Sequence, residues 1–118
     1  MKYNPTVPIY LQIIDLLKKS IVTGVLAPGS RLDSVRTLSE LYEVNLNTMQ
    51  RAYAELERQG VIHTQRGIGS FVAEDPILIQ KLANEMSELY VEQFIDGMHS
   101  IGCSETRIIE LVRKALEK

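Results

Sequence analysis

Asn47, Thr48, Gln50 and Arg51 lie almost consecutively in the run NLNTMQRAYAELERQG, which spans Asn45 to Gly60. They form neither a nucleophile–base pair nor a metal-ligand set. They are amides that donate and accept side by side, a forked guanidinium, and a hydroxyl carried next to a methyl. Such groups read a patterned surface; they do not break bonds. On a helix, Met49, Ala52, Tyr53 and Leu56 share one face, and Asn47, Thr48, Gln50, Arg51, Glu55 and Arg58 the other. The short polar and forked side chains crowd toward the N-terminal end of that second face. A helix that only packs has no use for this grading, whereas one whose first turns enter the DNA major groove does. Asn and Gln can pair with adenine, Arg can take guanine through two hydrogen bonds, and a Thr methyl can touch thymine. The positive end of the helix dipole meets phosphate. Glu55 and Glu57, later in the helix, are expected to point away from a duplex.

The elements that must hold this helix can be placed from period and punctuation. From Pro8 to about Thr23 the apolar residues Ile9, Ile13, Leu16, Leu17 and Ile21 recur at helical spacing, with Gly24 as a stop. APGSRLDS is a turn centred on Pro28-Gly29, and a very short strand is expected at Arg31-Leu32. Ser34 caps a second helix to about Tyr42, with Val35, Leu38 and Leu41 inward. Val44 and Asn45 make a tight connection. Asn45 then caps the third helix, Leu46 begins it and Gly60 ends it. Two short helices joined so tightly form a helix-turn-helix.

VIHTQ and SFVAE read as two strands around Arg66-Gly67-Ile68-Gly69. The glycines let the backbone take positive φ and approach another molecule, and Arg66 beside them can reach phosphate or the minor groove. A hairpin flanking such a helix is a wing. Asp75-Pro76 restarts a helix running to about Met98, with Ile79, Leu82, Met86, Leu89 and Phe94 roughly along one side. After Gly102, Ser104 caps a last helix with Ile108, Val112 and Leu116 four apart.

The totals exclude several classes. At 118 residues, with 45% hydrophobic and 24% charged, the chain has the composition of one globular domain with an added helical arm. No apolar run spans a bilayer and the start is not a signal peptide, so the cytoplasm is expected. Cys103 can form no intrachain disulfide, and with His63 and His99 it makes no metal cluster; no metal or cofactor is expected, and no enzyme. The net charge is −2, and Arg31, Arg36, Arg51, Arg58 and Arg66 are balanced by Asp33, Glu40, Glu43, Glu55 and Glu57. Any DNA affinity must therefore come from where the arginines point. The same even balance suits the alternative of a winged helix that binds a partner protein without specific DNA binding.

From Pro8 to Val72 the sequence resembles the N-terminal domain of the GntR family of bacterial transcriptional regulators, through PGSRL, SVRTLSE, VNLNTMQRAYAELERQG and RGIGSFV in that order. The short helical tail is similar to that of the YtrA-like subgroup. The resemblance implies a homodimer that binds operator DNA, usually as a repressor. It implies contacts from Ser34 and Arg36 of the second helix, Asn47, Thr48, Gln50 and Arg51 of the recognition helix, and Arg66 with Gly67 at the wing tip. Two positions depart from the pattern. Asp33 stands where relatives carry proline, placing a carboxylate that could cap the helix near the phosphate track, and Leu46 replaces a proline at the helix start.

The expected fold is mostly α with a small β-hairpin: a winged helix-turn-helix over residues 1–75 and a two-helix dimerisation region over 76–118. Leu82, Met86, Leu89, Phe94, Ile108 and Val112 are the expected dimer contacts, because the small N-terminal core cannot cover so apolar a tail. A small effector between subunits would be lined by Tyr90, Met86 and His99.

Overall fold

In the computed structural model, which describes residues 2–118, the chain forms α1 (Ile9–Val22), α2 (Val35–Leu41), α3 (Leu46–Arg58), β1 (Ile62–Gln65), β2 (Gly69–Val72), α4 (Pro76–Ser100) and α5 (Glu105–Leu116). Four of the five helix starts carry a side-chain cap, and α1 follows Pro8 without one. The Ser34 hydroxyl accepts the Thr37 N–H at 3.1 Å, and the Asn45 side chain accepts the Asn47 N–H at 2.8 Å. The Asp75 carboxylate accepts the Ile77 N–H at 2.9 Å, and the Ser104 hydroxyl that of Arg107 at 3.2 Å. Each such cap contributes on the order of 1 kcal/mol. Ser34 is the cap of α2, not Asp33.

The chain divides into two units, the first ending at Leu82 and the second running from Ala83 to Lys118. In the first, Ile13, Ile14, Leu17 and Ile21 of α1 meet Met49, Ala52, Tyr53 and Leu56 of α3, with Leu38 of α2 and Ile62 and Val72 of the hairpin also buried. Two inward assignments shift. On α1 the core stripe is Ile13, Ile14, Leu17 and Ile21, so Ile9 is exposed and Leu16 only half-buried. Tyr10 lies on the same stripe, one turn before Ile14. On α2 the stripe is Leu38, Ser39 and Tyr42, which leaves Leu41 66% exposed. Ser39 is satisfied there because its hydroxyl donates to the Arg36 carbonyl at 2.7 Å.

The turn between α2 and α3 is closed at both sides. Glu43 takes φ 55°, in the left-handed region, and the Val44 N–H returns to the Ser39 carbonyl at 2.9 Å. The Tyr3 hydroxyl donates to the Tyr42 carbonyl at 2.7 Å, pinning the N-terminal segment on this turn. From α3, the Tyr53 hydroxyl donates to the Asp33 carbonyl at 2.6 Å, tying this helix to the residue before the cap of α2. Burial, helped by Asp33, pushes the Tyr53 phenol well above its ordinary value, so it remains a donor at every physiological pH. Tyr53→Phe should lower stability by about 0.5–1.5 kcal/mol in urea melts; an unmoved midpoint would show that the bond does not brace the two helices.

The hairpin pairs Ile62 with Val72 through Gln65 with Gly69, antiparallel. A third segment joins it: Arg31 bridges Phe71, and the Leu32 N–H donates to the Ser70 carbonyl at 2.8 Å. This is the short strand expected at Arg31-Leu32. In the second unit α4 ends at Ser100 and the chain turns at Gly102 (φ 75°), where the Cys103 N–H returns to the Met98 carbonyl at 3.0 Å before α5 begins.

Candidate nucleic-acid interface

α3 is a core helix on one side and a display on the other. With Met49, Ala52, Tyr53 and Leu56 inward, the period of 3.6 leaves Asn47, Gln50 and Ala54 on one outward strip, all exposed. Neither the Asn47 nor the Gln50 side chain makes a hydrogen bond among the described residues. Thr48 sits at the edge of the strip, half-buried. Arg36, on α2, is exposed and pairs with no carboxylate among the described residues. Ser34 is exposed but already engaged as the cap of α2.

Arg51 is placed differently from its neighbour Gln50. Its guanidinium carbon lies 3.8 Å from the centroid of the Tyr10 ring on α1, a cation–π contact. Arg51, Glu55 and Arg58 recur three and four apart and line one wall of an open groove of about 470 Å³ whose other wall is Tyr10, Ile14 and Lys18 of α1. Further along that stripe, hydrogen bonds from the Arg58 guanidinium and then the Gln59 amide hold the Glu55 carboxyl down to about 2. Glu55 is therefore ionised across the physiological range, and Arg58 is spent on it.

Glu57, on the other flank of α3, accepts the Thr64 N–H of β1 at 3.3 Å. This contact and the Val61 N–H bond to the Leu56 carbonyl at 3.0 Å set the hairpin against the end of α3. The two glutamates thus serve α3 and its wing. At the wing tip Arg66, Gly67 and Ile68 are exposed, and Gly67 takes φ 79°. Outward from the core, His63 stacks on Phe71 with ring centroids 5.7 Å apart.

Two residues at this surface escape a reading by spacing. One is Tyr10, which draws Arg51 toward α1. The other is Arg31, whose side chain crosses from its bridge with Phe71 to Gly69. A Cβ at Gly69 would stand 2.8 Å from its Nε and 3.2 Å from its Cζ. The PGSRL run marks Arg31 as a turn-and-strand residue but carries no sign of where its side chain goes.

In the second unit Ile108 is buried, while Leu89 is 50%, Phe94 41% and Val112 37% exposed. Leu82, at the end of the first unit, is buried within the chain and Met86 is half-buried. Of the six expected dimer contacts, Leu82 and Ile108 are thus already covered, and Leu89, Phe94 and Val112 present apolar surface. Among the described residues no group of His, Cys, Asp and Glu could hold a metal, and no helix is long and apolar enough to cross a membrane.

A helix-turn-helix on a three-helix core, with an antiparallel hairpin docked at the end of its second helix, is a winged helix-turn-helix, the architecture of a DNA-binding regulator. The chain belongs to the GntR family: the family model of bacterial regulatory proteins, gntR family, matches residues 9–72. It is 35% identical over 109 residues to the transcriptional repressor YtrA of Bacillus subtilis, covering 91% of this chain and 83% of that protein. A GntR family transcriptional regulator from Listeria monocytogenes superposes with a TM-score of 0.89 at 41% identity, over 95% of this chain and 98% of that one. The DNA-binding domain of AraR, solved in complex with operator ORX1, superposes with a TM-score of 0.58 at 25% identity, over 62% of this chain and 93% of that one. The protein is a transcriptional regulator, not an enzyme.

Proposed function

We propose that the chain binds a two-fold symmetric operator as a homodimer and represses transcription in the cytoplasm, each copy laying α3 in the major groove and its wing tip against the neighbouring backbone or groove. The observation that carries this reading is the outward strip of Asn47 and Gln50 on the first half of α3, exposed and unpaired, with a basic, glycine-flanked wing braced at the helix's other end. A single wing unit makes few contacts, so two copies are needed for a specific site. Similarity to a repressor supports the sign of the regulation, and similarity to an operator-bound domain supports the partner.

Within α3 the roles separate. Gln50 stands free to reach an adenine edge, and Asn47 and Thr48 address the bases or phosphates at the entry of the helix. Arg51 lies over Tyr10 and contributes charge rather than base identity. Arg36 approaches from α2, and Arg66 with Gly67 meets backbone at the wing. Ser34, whose hydroxyl accepts the Thr37 N–H and donates to Thr37 Oγ1 at 2.9 Å, holds the start of the helix that carries Arg36.

The test begins by selecting bound sequences from random duplex DNA. Gln50→Ala and Arg36→Ala should each cost about 1–3 kcal/mol on the selected operator and relax preference at one position. Arg51→Ala and Arg66→Ala should weaken all sequences more evenly. Parent-like binding by both Gln50→Ala and Arg36→Ala would show that this face does not read DNA. Affinity that does not fall as salt rises would point to a protein partner instead.

A further inference from the structure

The wing carries a second cation that its tip sequence does not reveal. Residues 29–32 lie along the free edge of β2: the Gly29 N–H donates to the Val72 carbonyl at 3.0 Å, Val72 returns a bond to Ser30 at 2.9 Å, and Leu32 donates to Ser70 at 2.8 Å. This pairing sets Arg31 opposite Phe71. Val72 is buried, so alternation along β2 turns Phe71 and Gly69 away from the core. From its place opposite Phe71 the Arg31 side chain runs along that outer face toward the wing tip and comes to rest on the bare backbone of Gly69.

Gly69 is the seat. Its φ of 148° is poorly suited to other residues, and any Cβ there would collide with Arg31 Nε at 2.8 Å and crowd Cζ and Nη2 at 3.2 Å. The glycine does more than let the hairpin turn; it gives an arginine a place to lie. Arg31 makes no hydrogen bond or ion pair among the described residues. A guanidinium with five donors is thus held two residues from Gly67, with its fork unspent.

Resting on the DNA reading above, we propose that Arg31 is a phosphate clamp at the root of the wing, paired with Arg66 at the tip. The partner chemistry is a backbone phosphate next to the groove that the tip enters, and the planar fork suits its oxygens. A side chain already seated loses less freedom on binding than a loose one. The clamp carries no base information. It adds to affinity for every duplex and holds the tip in register.

Parent, Arg31→Met, Arg66→Ala and the double variant would be titrated on the selected operator and on random duplex at several salt concentrations, following fluorescence anisotropy. Methionine keeps the aliphatic stem opposite Phe71 and removes the guanidinium that lies on Gly69, and urea melts would verify that the fold is intact. The slope of log Kobs against log salt should become shallower by about 0.9 for each arginine removed, which is roughly an eightfold weaker affinity at 0.1 M salt. The loss should be equal on operator and random duplex, and the two variants should add. An Arg31→Met protein with the parent's slope and affinity, beside a parent that binds normally, would overturn the role of Arg31 alone. A parent that binds no duplex at any salt would overturn the DNA reading and the clamp together.

Discussion

Leu89→Asp combined with Phe94→Asp should convert the proposed homodimer to a folded monomer of 13.4 kDa and cut operator affinity by at least two orders of magnitude. Both side chains lie on α4 and are 50% and 41% exposed in the single chain, where the handful of neighbours in their own unit cannot cover them. In a two-fold pair each substitution occurs twice. About half of each side chain is left to cover, so four of them at about 0.7–1.5 kcal/mol each come to roughly 3–6 kcal/mol. Buried carboxylates facing one another add a further penalty. Operator binding suffers because the second half-site is then no longer bound intramolecularly. Light scattering at micromolar concentration checks the first part and anisotropy on the selected operator the second. A double variant that still scatters as a dimer would place the interface elsewhere; a parent that scatters as a monomer would remove the dimer altogether.

Leu56→Ala should destabilise the first unit by about 2–5 kcal/mol, a large share of the roughly 5–15 kcal/mol that holds a small domain folded. Leu56 is fully buried in α3 among side chains of α1 and the hairpin, and its carbonyl accepts the Val61 N–H that starts the wing. The cavity left by the lost methyl groups can close only in part, because α3 is held by α1, α2 and β1 together. Urea titration gives the magnitude. The selected operator should remain the same, with affinity reduced only through the smaller folded fraction. Gln50→Ala makes the opposite pattern, a changed sequence preference at unchanged stability. If Leu56→Ala altered base preference while leaving the melt unmoved, core and reading face would have been assigned the wrong way round on α3.

Much of this architecture is written locally. The four caps at Ser34, Asn45, Asp75 and Ser104 depend on one side chain and the backbone two or three residues on, so spacing alone locates them. The inward face of α3 follows from period, and all four of its expected members are buried. Positive φ at Gly60, Gly67 and Gly102 matches the stops and the tip read from residue type. Where the periodic signal is short it misleads: seven residues of α2 do not fix a stripe to better than one position, and Ser39 and Tyr42 take the inward space that spacing gives to Leu41.

Sequence by itself thus determined the order of elements, four helix caps, the polar grading of α3 and the family, because each is encoded by neighbours a few residues apart; the second strand lies at Gly69–Val72, two residues short of the expected end. Tertiary structure decided which flank each exposed cation joins. Arg51 turns to Tyr10 across 41 positions of chain, and Arg31 reaches Gly69 across nearly as many. Helical period says only that such side chains leave the core. What they meet outside it depends on the packing of elements remote in the chain, and no local pattern records that.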